Sequence, residues 1–199
     1  KVFVKYNAKA GRWYTKEDKQ DGEEFEVQDM TAVFDFASLR TGWFLFAAGV
    51  APVKQLNDEI SVFPPRPTKD FKQGFQLNLF SNKNLLGVRE FASTAGIVID
   101  AMNDLYDRAT AASEQKQGKL PVVKCVKVNA TTGAHGTNYA PVFEIISWVE
   151  RPPELTEAPA AQTDHGTYAR EAIPAGSGSN NWSDELDDDI PFISRNSIW

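Results

Sequence analysis

Five carboxylates crowd the six positions from Asp184 to Asp189, and the run ends in an apolar knob, Ile190-Pro191-Phe192. The charges repel one another and Pro191 blocks a helix or a central strand, so residues 182–192 cannot bury enough apolar surface to fold alone. Their chemistry is that of a tethered, mobile ligand. A second group with binding chemistry is Arg12-Trp13-Tyr14. Bases stack on flat rings while a guanidinium meets phosphate. The same three residues also suit a hairpin whose aromatics cover the end of a barrel. Catalytic groups are harder to find. Asp100, Asp104 and Asp107 fall at helical spacing but have no accompanying His or further carboxylate motif, and they read as a solvated face. His135 has no second metal ligand nearby, and Cys125 lies in a β run, where it reads as a small buried hydrophobe. A Gly-rich phosphate loop, a His-Cys cluster and a nucleophile–base pair are all missing, so no enzyme activity, cofactor or metal is expected.

The segment Asp187-Asp188-Asp189-Ile190-Pro191-Phe192 resembles the acidic tip of the single-stranded-DNA-binding proteins of bacteria and their phages. The resemblance implies that these six residues recruit replication, recombination and repair proteins. It also implies that they compete with DNA for the groove of an OB-fold domain on the same chain. One departure stands out: the family's tip usually ends the chain at its Phe, whereas here Ile193-Ser194-Arg195-Asn196-Ser197-Ile198-Trp199 follow. A pocket that grips a terminal carboxylate beside the Phe could not use Phe192 in that way. Elsewhere the chain does not look like the housekeeping sequences, which points to a divergent phage-encoded or mobile-element version.

A formal charge of −6 over 199 residues is unexpected for a DNA binder until it is divided along the chain. Residues 1–150 hold 18 basic and 18 acidic side chains, whereas residues 151–199 hold 3 and 9, so the net charge lies entirely in the tail. A neutral domain has a basic groove only if its charges cluster in space. Cys125 is the single cysteine, which excludes an internal disulfide. With no leader-like segment and no apolar run long enough for a bilayer, a cytoplasmic protein is expected, in the bacterial host's cytoplasm if phage-encoded. The chain opens on Lys1 rather than Met, so a few residues are expected to precede it.

The elements that must carry such a site follow from periodicity. Residues 2–6 read as a short strand, and 16–26 as a solvated loop. Residues 31–37 and 43–48 read as two strands broken at Ser38-Leu39-Arg40-Thr41-Gly42. The second is apolar on both sides, as a wall covered by another element or by a second copy of the chain would be. Residues 51–67, with four prolines, form an irregular connection leading to Lys69 and Lys72. In 75–80 the alternation puts Phe75, Leu77 and Leu79 on one face and Gln76, Asn78 and Phe80 on the other. That second face suits unpaired bases, although an aromatic on a strand, as Phe80 is, more often belongs to a core. Val88, Phe91, Ala95, Val98, Met102, Leu105 and Ala109 recur at steps of three and four, which predicts one amphipathic helix over 85–113 capped by Asn84. Strands over 122–128 and 139–149 flank a Gly/Thr/Asn-rich hairpin tip, with Lys124, Lys127 and Tyr139 beside it. Alternation sets Lys124 and Lys127 on opposite faces unless a bulge intervenes.

Three strands, a helix and two strands are the element order of an OB-fold. The chain is thus expected to be mainly β. Residues 1–29 form an N-terminal strand and hairpin extension, 30–152 a five-stranded barrel with its helix between strands three and four, and 153–199 a disordered linker and acidic tail. The function that follows is sequence-independent binding and protection of single-stranded DNA with partner recruitment through the tip. Arg12, Trp13, Tyr14, Lys72, Gln76, Asn78, Phe80, Lys124, Lys127 and Tyr139 are the candidate DNA contacts. The competing readings are an adaptor barrel for RNA or protein and a tail-bearing enzyme of DNA metabolism. Self-association stays open.

Overall fold

Short runs rich in β-branched and aromatic residues recur along the chain. In the computed structural model, which describes residues 2–17, 22–46, 52–57, 64–133 and 136–156, they form nine strands. These are β1 (Phe3–Asn7), β2 (Arg12–Lys16), β3 (Glu24–Val27), β4 (Thr31–Leu45), β5 (Val53–Asn57), β6 (Lys72–Ser81), β7 (Gly87–Ser93), β8 (Leu120–Gly133) and β9 (Gly136–Val149). Helices α1 (Gly96–Ala111) and α2 (Ser113–Lys116) lie between β7 and β8, and a 3-10 turn, Pro153–Leu155, follows β9.

All nine strands belong to one strongly curled half-barrel sheet in the order β3-β2-β1-β7-β6-β4-β8-β9, with β5 alongside the second half of β4. Every pairing is antiparallel except β1 with β7, where Phe3 lies opposite Glu90 and Val4 opposite Phe91. The N-terminal hairpin therefore shares the main sheet, and its turn reaches β9 through the Tyr139 N–H, which donates to the Ala8 carbonyl at 2.7 Å. Inside the curl, Val4, Trp13, Val27, Phe34, Phe36, Phe75, Leu77, Leu79, Phe91 and Phe143 form the core. The buried stripe of α1, Val98, Ile99, Met102, Leu105 and Ala109, packs against them. Burying large side chains of this kind contributes roughly 1.5–3 kcal/mol each.

Several expectations are corrected. Residues 31–45 form one strand, because the polar side chains of the presumed break repair the ladder. Ser38 Oγ donates to the Asp35 carbonyl at 2.7 Å and accepts the Asn78 N–H at 2.8 Å, while Asp35 Oδ1 accepts the Ala37 N–H at 3.2 Å. The result is a bulge between Asp35 and Arg40. The single helix over 85–113 is instead β7 followed by α1. Leu86 and Gly87 turn the chain at φ 59° and 115°, and β7 then pairs with both β6 and β1, so tertiary pairing overrides a local three-and-four pattern. Asn84, expected as the helix cap, sits in that turn and donates from Nδ2 to the Thr31 carbonyl at 3.1 Å. Part of the expected 16–26 loop is β3, part of the 51–67 connection is β5, and the start of the expected disordered linker is instead the Pro153–Leu155 turn, held by the burial of Leu155 against Val33 and Leu120. No helix among the described residues is long and apolar enough to cross a membrane.

Candidate nucleic-acid interface

With Phe75, Leu77 and Leu79 buried inside the curl, alternation turns Gln76, Asn78 and Phe80 to the outer face, and the registers of β4, β5 and β7 set their neighbours in rows. Starting from the end where β5 pairs with β4, one row holds Lys54, Phe44 and Lys72. The next holds Leu56, Gly42 and Gly74, followed by Arg40, Gln76 and Ala92. Below these come Asp35, Asn78 and Glu90, then Val33, Phe80 and Val88. Glycine at 74 has a steric reason: a Cβ there would lie 2.6 Å from the Ser93 carbonyl oxygen and 2.9 Å from the Phe44 ring. Phe46 extends the face beyond the first row. It is 56% exposed, and its ring lies nearly parallel to that of Phe44, 7° apart in plane with centroids 6.1 Å apart. From Lys72 to Asn78, short of the Phe80 row, the face runs about 20 Å at the rise of a β-strand, room for roughly three nucleotides, with Phe44 fully buried in its first row.

The electrostatics of this face are set by two bridges. Lys54 Nζ reaches from β5 to donate to Gln76 Oε1 at 2.8 Å and to Glu90. Arg151 folds back from the end of β9 onto Asp35, donating from Nη1 at 2.9 Å and Nη2 at 2.7 Å. These hydrogen bonds push the Arg151 pKa above its usual value, against a smaller effect of burial. Just beyond, Leu155 is buried with Val33 and Leu120 under the flanks of Phe80, Val88, Val122 and Val149. The strap 150–156 thus closes one end of the face, and the acidic tail starts from it.

The structure divides the sequence-predicted residues. Gln76 and Asn78 share the face with Lys72, as rows predict, and Phe80 lies at its strapped end within the small apolar cluster. Trp13 is a correction. It is 4% exposed, with its ring centroid 4.8 Å from Tyr6 and 5.0 Å from Phe91, so it is a core residue that presents no face to a base. Arg12 and Tyr14 point outward from the N-terminal hairpin, three strands along the sheet from β6. Arg12 is salt-bridged to Glu26 at 3.0 Å, and the Lys5 ammonium sits 5.5 Å over the Tyr14 ring while pairing with Glu24 at 2.7 Å. Lys124 meets Asp29 at 3.3 Å. The Thr31 hydroxyl and then Lys124 hold the Asp29 carboxyl below the usual carboxylate range. A bulge does intervene between Cys125 and Lys127, so Lys124 opposite Glu144 and Lys127 opposite Val142 share one side of the β8–β9 ribbon. Tyr139 is half-buried, its ring against Gly11, where φ is +67° and a Cβ would come within 3.1 Å of it.

Arg40, Lys54 and Phe46 were missed, the first read as part of a break, the second as irregular connection and the third as barrel wall. A usable signal was present: residues 36–57 and 71–89 each run without one carboxylate, and they supply most of the face. Cys125 lies beside the core, where burial pushes its thiol pKa up. Among the described residues no group of His, Cys, Asp and Glu could hold a metal ion. His135, Asp187, Asp188, Asp189, Ile190, Pro191 and Phe192 lie outside the described residues. No protein-family model matches the chain, and no curated protein or solved structure matches it either.

Proposed function

We propose that the protein binds single-stranded DNA without sequence preference along the outer face of β4, β5 and β6, and that its acidic tip recruits proteins of replication, recombination and repair. The observation that carries the reading is the composition of that face. Arg40 lies opposite Gln76, Lys72 lies two rows further along β6 on the same face, Lys54 bridges Gln76 to Glu90, and an exposed Phe46 ring stands beyond the first row. Cations following a backbone beside a flat ring are what a sequence-tolerant single-strand binder needs. The order β4, β6, β7, α1, β8, β9 supports an OB-fold, with the N-terminal hairpin standing between β7 and β9, where a five-stranded barrel would close. The sequence of the tip supplies the second half of the reading.

A gel shift with labelled oligo-dT, duplex DNA and RNA tests it. Oligo-dT is expected to bind, duplex to bind poorly, and affinity to fall as salt rises. Preference for RNA would move the protein to the adaptor reading, and binding to neither would remove nucleic acid as the ligand. Pull-down from host extract is expected to capture replication or recombination proteins with the parent and to lose them with Phe192→Ala.

A further inference from the structure

Among the rows of the outer face, the carboxylates are Asp35 and Glu90, one on each side of Asn78. Strand spacing places them about 10 Å apart, on either flank of any chain that follows β6. Left bare, each would oppose a phosphate within a Debye length. Neither is left bare. Arg151 arrives from the strap and covers Asp35 with both terminal nitrogens, and Lys54 arrives from β5 and covers Glu90. The Asp35 side chain is 4% exposed while that of Arg151 is 32% exposed, so the carboxylate is sealed beneath the guanidinium rather than displayed beside it.

We propose that Arg151, and with it Lys54, serves the nucleic-acid face indirectly, as a counter-charge held over a carboxylate rather than as a contact to phosphate. The inference rests on the single-strand-binding reading and adds two positioning residues to it. Arg40 and Lys72 then meet phosphate directly, while the strap and β5 neutralise the anionic row. The strap is thus part of the binding face as well as the point where the tail begins.

Two double-mutant cycles in the full chain test this, with oligo-dT as the probe and salt as the variable. Arg151→Gln is expected to weaken binding roughly three- to tenfold at low salt, because one carboxylate of the face is uncovered. Asp35→Asn alone is expected to bind no worse than the parent, and Asp35→Asn with Arg151→Gln to return to within about twofold of it, as non-additivity of coupled residues requires. The Lys54→Gln and Glu90→Gln cycle is expected to follow the same pattern, and it stays informative if the Arg151 variant fails to fold. If Arg151→Gln and Lys54→Gln cost as much in the Asp35→Asn and Glu90→Gln backgrounds as in the parent, the two cations touch phosphate themselves and the proposal is wrong. It is equally wrong if neither single variant changes affinity. A parent chain that binds no oligonucleotide removes the binding reading and this inference together, whereas binding with additive cycles removes the inference alone.

Discussion

The hydroxyl of Tyr6 donates to the carbonyl of Tyr139 across 2.7 Å, joining the first strand to the last over an interval of 133 residues. Burial first, and the neighbouring Cys125 second, push the phenol's pKa above its ordinary value of 10.0. Tyr6→Phe should cost about 1 kcal/mol at neutral pH because that hydrogen bond is removed. The sign of the pH effect is set by the unfolded chain, which ionises this phenol above pH 10 while the folded chain keeps it neutral. Stability should therefore fall as pH rises past 10. The contribution is at most about 1.4 kcal/mol per pH unit, and less because solvent reaches the half-buried ring. Urea midpoints from pH 8 to 11 should show this slope in the parent minus Tyr6→Phe difference, and equal slopes would remove the coupling.

Two aromatics should respond in opposite ways to alanine. Trp13→Ala removes a core ring and is expected to cost about 3–5 kcal/mol of stability. Phe46→Ala removes an exposed ring, leaves stability within about 0.5 kcal/mol and weakens oligo-dT binding by about 1–3 kcal/mol. Denaturant unfolding beside binding titrations separates the two effects. Unchanged affinity for Phe46→Ala in a folded protein would take stacking away from that end of the face.

Every phosphate neutralised by the protein leaves a mark in the salt dependence. Replacing Arg40 or Lys72 by Gln is expected to flatten the plot of log affinity against log salt by about 0.7 for each phosphate left unneutralised, the value for single strands. Arg12→Gln, three strands away from β6 and already paired with Glu26, is expected to leave the slope where it was.

Leu155→Ala should destabilise the chain by about 2 kcal/mol, the low end for a buried leucine, because its small cluster is flanked by half-buried neighbours that can close over the gap. Thermal or urea unfolding measures it, and a change below about 0.5 kcal/mol would mean that the strap contributes nothing to the fold.

The tail carries the whole −6 charge, and the linker that composition predicts starts after the strap, so residues 157–181 would span about 28 Å as a random coil. At that reach the effective concentration of the tip is about millimolar. Deleting residues 182–199 should tighten oligo-dT binding at low salt, with the gain fading as salt screens the charges. Phe192→Ala should leave DNA affinity nearly unchanged, since it removes no charge. Equal affinity with and without the tail at low salt would end the competitor role.

Strands whose apolar residues alternate were legible one by one. Phe75, Leu77 and Leu79 face the core as their pattern requires, and so does the Val98–Ala109 stripe of α1. The outcome was less legible where a local pattern competes with pairing to distant strands. Val88 and Phe91 fit a helical step, yet β7 is held by β6 on one side and by β1, some 87 residues away, on the other. Trp13 illustrates the same limit for the site: cation and rings adjacent in sequence alternate across a strand, so Trp13 goes inward while Arg12 and Tyr14 go outward. Arg40 and Lys54 escaped notice because a bulge and a short strand bring them to the face, and neither leaves a period in the sequence.

The parallel contact between β1 and β7 also bears on how the chain is made. Phe3 and Val4 leave the ribosome early, but their partners Glu90 and Phe91 follow only after most of the sheet has been synthesised. Until then β1, β2 and β3 form a short three-stranded ribbon without a layer over its apolar side, with the large ring of Trp13 waiting for Phe91. Closing so long a loop is slow, and an exposed strand edge in the meantime invites pairing between chains. Translation pauses and high expression temperature should therefore lower yield more than the stability of the finished molecule would indicate, with the N-terminal hairpin as the place where aggregation starts.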